Sequence, residues 1–165
     1  MNAKGLQIST PTDTTLILTR AFNAPRRLVW EAMFTPEKMA RWMIPPPGWT
    51  MTACECEVRV GGALKVVWKS EDADPAMTLH GEFTEVVTHE RAVHTETMVL
   101  GSGETIGRLV ETHAFTEEGG VTMMRITQVY GSKEERDGAL ASGMDEGMEA
   151  CYQRCDALLS QPDCG

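Results

Sequence analysis

Apolar and turn-forming stretches divide the chain into one strand, two short helices, six further strands and a closing helix. Thr14 to Phe22 (TTLILTRAF) is rich in β-branched and apolar residues and predicts a strand. Ala24-Pro25 opens a short helix, with proline in the first turn where its missing N–H costs nothing, and Val29, Ala32 and Met33 are its inward residues. Thr35-Pro36-Glu37 starts a second helix: a cap, a proline, and an acid near the positive end of the dipole. Pro45-Pro46-Pro47-Gly48 stops it. The pattern then turns to strands at Thr50–Arg59, Ala63–Lys69, Met77–Val87, Arg91–Val99, Ile106–Thr116 and Val121–Tyr130. Turns this short require antiparallel neighbours. The order predicts an α+β domain over residues 14–160, its helices on one face of an antiparallel sheet of about seven strands, after a loose polar leader at 1–13.

The segment from Gly131 to Gln161 predicts one long helix. Leu140, Met144, Met148, Cys151, Cys155 and Leu158 recur at steps of three and four and share a face. Gly143 and Gly147 sit on the edge of that face, each costing a helix about 1 kcal/mol relative to alanine. They imply either close approach of another backbone or empty space beneath the helix. A sheet of this size coils, so the long helix would roof its concave side and leave an internal or mouth-open cavity.

Composition narrows the function. A formal net charge of -9 argues against nucleic acid and anionic membrane surfaces as partners, since both need basic patches. No apolar run approaches a membrane span, and MNAKGLQISTPTD has no apolar signal core. Five cysteines, an odd number without disulfide-framework spacing, fit a reducing cytosol, so a cytoplasmic location is expected. Met33, Met39, Met43, Met77, Met98, Met123, Met124, Met144 and Met148 occupy core-like positions, either as ordinary gap filling or as a deformable pocket wall.

Several motifs keep their order across nearly the whole chain. They are Arg20-Ala21-Phe22-Asn23-Ala24-Pro25 with Val29-Trp30-Glu31-Ala32, Thr35-Pro36-Glu37 with Trp42, and Glu57-Val58-Arg59-Val60-Gly61-Gly62. Gly81-Glu82-Phe83-Thr84-Glu85-Val86-Val87 and Ser142-Gly143-Met144-Asp145-Glu146-Gly147-Met148 complete the set. Together they resemble the START/SRPBCC superfamily, in the branch named after the activator of heat-shock chaperone ATPase. The resemblance implies a helix-grip fold with a hydrophobic cavity between sheet and C-terminal helix. Relatives bind lipids, sterols or plant hormones, and some cyclise polyketides. The chain departs from the pattern at Glu57, usually aspartate, and at Ala92, usually leucine, which enlarges the pocket if it faces inward. The chaperone activators carry an added N-terminal docking domain; with only the short leader ahead of the fold, no chaperone partner is expected.

The sharpest chemical signal is a palindrome across one hairpin, His94-Thr95-Glu96 and Glu111-Thr112-His113. A symmetric register sets His94 opposite His113 and Glu96 opposite Glu111, all four on one face with Met98, Leu109 and Phe115. Such a quartet can tune its members' pKa values for acid–base work, orient a ligand's polar group, or ligate a metal. Alternatively the register slips by one pair or the face is solvated, and the four form surface contacts. Cys54, Cys56, Cys151 and Cys155 resemble a four-thiolate zinc set, but the last two lie on the apolar stripe, so buried free thiols are expected. Cys164 is expected to be exposed. Trp42 and Trp49 flank the proline run, as a lid over the pocket or, the favoured reading, as core packing. No Gly-x-Ser-x-Gly elbow, His-Glu-x-x-His or dinucleotide glycine pattern occurs.

The leading expectation is a protein that encloses a small apolar or amphipathic molecule, without cofactor or metal. Trp42, Trp68, Met98, Phe115, Met124, Met144, Met148 and Tyr152 would form the wall, and His94, Glu96, Glu111 and His113 would orient a polar group. The alternatives are a polyketide cyclase or aromatase-like enzyme, with His94 or His113 as general base made more basic by a glutamate, and a co-chaperone stimulating a heat-shock ATPase. A sheet edge could pair into a homodimer.

Overall fold

The computed structural model describes residues 5–45, 47–71 and 76–161. The elements are β1 (Gln7–Thr12), β2 (Thr15–Phe22), α1 (Arg26–Phe34), α2 (Pro36–Trp42), β3 (Trp49–Cys56) and β4 (Ala63–Ser70). They continue with β5 (Met77–Val87), β6 (Arg91–Leu100), β7 (Thr105–Glu118), β8 (Val121–Tyr130), α3 (Lys133–Ala141) and α4 (Met144–Leu159). All eight strands join one curved antiparallel sheet in the order β1-β2-β8-β7-β6-β5-β4-β3. The helices pack on one face, α1 against β7 and β8, and α4 against α1 and α2. This is the helix-grip architecture.

Period-two burial explains why the strands sit as they do. In β2 Leu16, Leu18, Arg20 and Phe22 turn inward, and in β8 Thr122, Met124, Ile126, Gln128 and Tyr130 do. Trp30, Phe34, Phe83 and Phe115 form an aromatic cluster beneath α1 through edge-on contacts. This cluster joins α1 to β5 and β7, in the middle of the sheet.

Two expectations need correction. The leader is not wholly loose: Gln7–Thr12 pairs antiparallel with β2 and adds an eighth, edge strand. It shows no apolar alternation because it buries almost nothing. Main-chain pairing, the half-buried Ile8 and a hydrogen bond from Leu6 N to Glu149 hold it instead. The long helix is two helices. Gly143 takes φ +81°, a left-handed conformation that ends α3 and starts α4. The apolar repeat continues across the break, so periodicity alone reads straight through it. Each new end is supported locally. Ser132 caps α3 by accepting from Glu135 N, and Asp145 and Glu146 lie in the first turn of α4.

Among the described residues no helix is long and apolar enough to cross a membrane. Pro46, most of the acidic loop before β5 and Cys164 lie outside the described residues.

Candidate functional site

The concave face of β4–β8, roofed by α1, α2 and α4, encloses a cavity of about 320 Å³. Its walls are apolar: Met33 and Phe34 from α1, Met39 and Trp42 from α2, Leu64, Val66, Leu79 and Met98 from the sheet, and Met148, Cys151 and Tyr152 from α4. Gly147 lines it too, and a Cβ built there would meet nothing within 4 Å. That glycine leaves space, whereas Gly143 makes a turn. The polar lining is one cluster, His94, Glu96, Glu111, His113 and Gln128, on β6, β7 and β8.

The palindrome pairs out of symmetry. His94 lies opposite Glu111, Glu96 opposite Leu109 and Ala92 opposite His113, a shift of two residues from the symmetric register. An even shift preserves the face, so all four side chains still point into the cavity. A bulge decides this parity. Near the turn Val99 pairs with Thr105, and that register continued would set His94 against Val110. β7 carries one extra residue, the exposed Ile106, between the Val99 and Met98 pairings, and this restores His94 to Glu111.

Glu111 is the hub. Its Oε2 accepts a 2.6 Å hydrogen bond from Gln128 Nε2, and Gln128 Oε1 accepts one of 2.9 Å from Tyr130 Oη. Its Oε1 stands 3.6 Å from His94 Nε2 and 3.7 Å from His113 Nε2. Burial opposes its charge, yet His113, His94 and the hydrogen bonds from Gln128 and Glu96 outweigh that and hold its pKa below the usual glutamate value. Glu96 goes the other way: burial, the neighbouring Glu111 charge and their shared hydrogen bond push it well up. Of the two adjacent glutamates, Glu111 is thus the one that takes the charge first and Glu96 the one that holds a proton longer. Burial lowers His113 to about 4, against the opposing pull of Glu111, so its imidazole is neutral near pH 7. A glutamate was expected to make a histidine here more basic; for His113 desolvation is the larger effect. His113 Nδ1 is buried without a hydrogen-bond partner. Tyr130 and Tyr152 are pushed up, mainly by burial, and stay neutral.

Of the residues expected in the wall, Trp42, Met98, Met148 and Tyr152 line the cavity with all four of the quartet. Trp68, Phe115, Met124 and Met144 are not lining residues. Phe115 packs on Trp30 and Phe34, Met124 is buried between Arg20 and Phe115 in the sheet, Trp68 is buried on β4, and Met144 is half-buried at the start of α4. Ala92 faces inward and is fully buried, but lies outside the lining. Trp42 is core rather than lid: its Nε1 donates to Ala32 O at 2.6 Å and its ring lies 5.8 Å from Tyr152. Trp49 is half-buried at the start of β3.

The cysteines do not assemble into a metal-ligating group among the described residues. Burial pushes the thiols of Cys54 and Cys151 up and that of Cys56 to about 12, which keeps them protonated. Sequence reading missed Gln128, although a polar residue at inward parity between Ile126 and Tyr130 was its signal. It also missed Arg20, by the same parity beside Leu18 and Phe22. Arg20 is 3% exposed and pairs at 2.9 Å with both Glu149 and Asp156 of α4.

Comparison with known proteins agrees with this architecture. The family model described as Activator of Hsp90 ATPase homolog 1-like protein matches residues 23–160. A crystal structure of a protein from Rhodobacter sphaeroides is 28% identical, with a TM-score of 0.85 over 94% of this chain and 98% of that one. A Mycobacterium smegmatis protein is 23% identical (TM-score 0.79, 93% of this chain and 96% of that one). One from Nitrosomonas europaea is 20% identical (TM-score 0.78, 94% and 100%). At those identities the last two speak to the fold alone. No curated protein matches the chain.

Proposed function

The chain belongs to the family of Activator of Hsp90 ATPase homolog 1-like proteins, and from that premise we propose that it binds a compact, mostly apolar molecule with one polar group inside the cavity. The observation that carries this reading is the segregation of the lining: apolar walls everywhere except one buried polar cluster centred on Glu111. A cavity of about 320 Å³ sits at the small end of ligand pockets, about 300–1,000 Å³. It suits a molecule of one or two rings rather than a long-chain lipid. The polar group would be a hydroxyl that donates to Glu111. Chaperone activation would give this buried cluster nothing to do, since docking needs a surface.

The test compares 2-naphthol with naphthalene, reading quenching of tryptophan fluorescence because Trp42 lines the cavity. One molecule of 2-naphthol should bind per chain, about tenfold more tightly than naphthalene, the increment expected for a hydrogen bond to a charged acceptor. Gly147→Trp, which fills the wall, should abolish both. Absence of saturable binding, or binding indifferent to Gly147→Trp, overturns the reading.

A further inference from the structure

At the polar end of the cavity Glu111 faces two imidazoles across distances that fit neither a direct hydrogen bond nor a water bridge. Glu111 Oε1 is 3.6 Å from His94 Nε2 and 3.7 Å from His113 Nε2. One ligating atom from each of the three residues lies within 4.8 Å of the others. A direct N–H···O bond closes to about 2.7–3.2 Å. A water bonded tetrahedrally to two of these atoms at about 2.8 Å would hold them about 4.6 Å apart. A four-coordinate ion with bonds of about 2.0–2.1 Å separates its ligand atoms by about 3.3–3.4 Å. The two glutamate–histidine spacings lie a few tenths of an ångström from the last value and about 1 Å from the water value, and the two imidazoles, within 4.8 Å of each other, would close on the ion.

We propose that His94, Glu111 and His113 bind one divalent ion of the zinc class, with its fourth coordination position open to the cavity. This deepens the ligand reading and rests on the same cavity: the open position lies where the polar group of the bound molecule would sit. It also revises the sequence-based expectation of no metal. Two imidazoles and one carboxylate form a donor set that suits a borderline ion; it has no thiolate for a soft one and too few oxygens for calcium or magnesium.

The surroundings support the ligands as an outer shell does. Gln128, itself fixed by Tyr130, holds Glu111 Oε2 and leaves Oε1 to face the imidazoles. His94 Nδ1 lies 3.3 Å from Thr95 O and 3.6 Å from Glu96 Oε2, the placement of a ligating histidine whose far nitrogen faces a carbonyl or carboxylate. His113 Nδ1 has no protein partner, while its ring packs on Phe34 and Phe115 with Nε2 toward Glu111.

The test uses the full chain stripped with EDTA, titrated with Zn²⁺ by calorimetry and with Co²⁺ by visible absorption. One Zn²⁺ should bind per chain. Co²⁺ should give the intense visible bands of a four-coordinate site without thiolate charge transfer in the near ultraviolet. His113→Ala and Glu111→Gln should each weaken zinc at least about 100-fold, and Gln128→Leu about tenfold. Thermal melts check that each variant folds; if a ligand variant does not, the wild-type cobalt spectrum and Gln128→Leu carry the test. No zinc binding by the wild type, a thiolate band placing the ion on cysteines, or unchanged affinity in the folded variants overturns the proposal. The naphthol titration on metal-free protein separates the two readings. Naphthol without zinc binding sinks the metal site alone, and zinc without naphthol binding sinks the ligand reading alone.

Discussion

Two buried polar clusters line the inner face of this sheet, and they are satisfied to opposite degrees. At Arg20 every donor is used. Nε and Nη2 donate to Glu149 at 3.0 and 2.9 Å, Nη1 and Nη2 to Asp156 at 3.0 and 2.9 Å, and Nη1 to Ala21 O at 3.0 Å. Those bonds account for all five guanidinium N–H groups, and they outweigh burial to hold the charge firmly on. Around Glu111 the two imidazole contacts are 3.6 and 3.7 Å, His113 Nδ1 has no partner, and a carboxyl that holds its proton longer stands beside one that takes the charge first. A fold that satisfies one cluster completely can satisfy polar groups in this interior. The incomplete cluster lines the cavity beneath the helices, whereas Arg20 and Asp156 border a second pocket, of about 510 Å³, with every guanidinium N–H already paired. Buried and saturated reads as structure; buried and unsaturated beside empty space reads as a site.

The largest expected effect comes from breaking the saturated cluster. Arg20→Ala leaves Glu149 and Asp156 facing a buried gap and unties α4 from β2. Breaking a buried pair costs about 3–5 kcal/mol; here about 3 kcal/mol is expected, because the carboxylates are 25% and 44% exposed and keep some hydration. Urea unfolding measures it. A loss below about 1 kcal/mol would mean that the clamp is peripheral and that saturation is no mark of a structural role.

The second effect has the opposite sign and depends on pH. His113 packs against Phe34 and Phe115, with ring centroids at 5.3 and 6.1 Å, so His113→Phe extends an existing aromatic cluster. In metal-free buffer near pH 7 it should cost nothing and stabilise by up to about 1 kcal/mol, since it removes an unpartnered polar atom. The pH dependence follows from linkage. The folded pKa of His113, about 4, lies below its ordinary value of 6.5, so between these values the unfolded chain binds more protons. Wild-type stability attributable to this residue is complete above pH 6.5 and falls on acidification. Glu96, with its pKa raised, acts in reverse, its folded form holding a proton that the unfolded form releases above its ordinary value of 4.5. Comparing variant with wild type reads the histidine together with its pull on Glu111: the stability advantage of His113→Phe should grow by about 2 kcal/mol as pH falls from 6.5 to 4.5. A gap constant with pH would show that the imidazole is not held neutral by burial.

The legibility of the two clusters in sequence differs for a physical reason. Strand identity and order are written in composition and turns, and seven of the eight strands could be read from them. β1 could not, because an exposed edge strand buries no apolar face and its pairing is main-chain work. The quartet was visible as a palindrome and its common face followed from parity. Its register did not, because the Ile106 bulge is set by the geometry of one turn and leaves no mark in residue type. Arg20 carried a readable signal, a charge at inward parity, but its partners lie 129 and 136 residues away on α4. Only the fold brings them together.

The smallest effect separates the two glycines of the closing segment, one belonging to the frame and the other to the cavity. Gly143 is left-handed at φ +81°, whereas Gly147 lies within α4 with open space where a Cβ would project. Gly147→Ala should therefore gain about 1 kcal/mol of helix propensity, and Gly143→Ala should lose about 1 kcal/mol to left-handed strain. The gain carries a functional cost. A methyl group at Gly147 enters the wall of the cavity, so the variant that unfolds later should also bind 2-naphthol more weakly, by a few-fold. Thermal melts and fluorescence titrations on the two variants measure both halves. If Gly147→Ala stabilises the chain with no change in affinity, the glycine is ordinary helix surface. If it gains stability and loses affinity together, helix stability there has been given up for room beneath α4, just as hydrogen bonding at Glu111 is incomplete beside the same space.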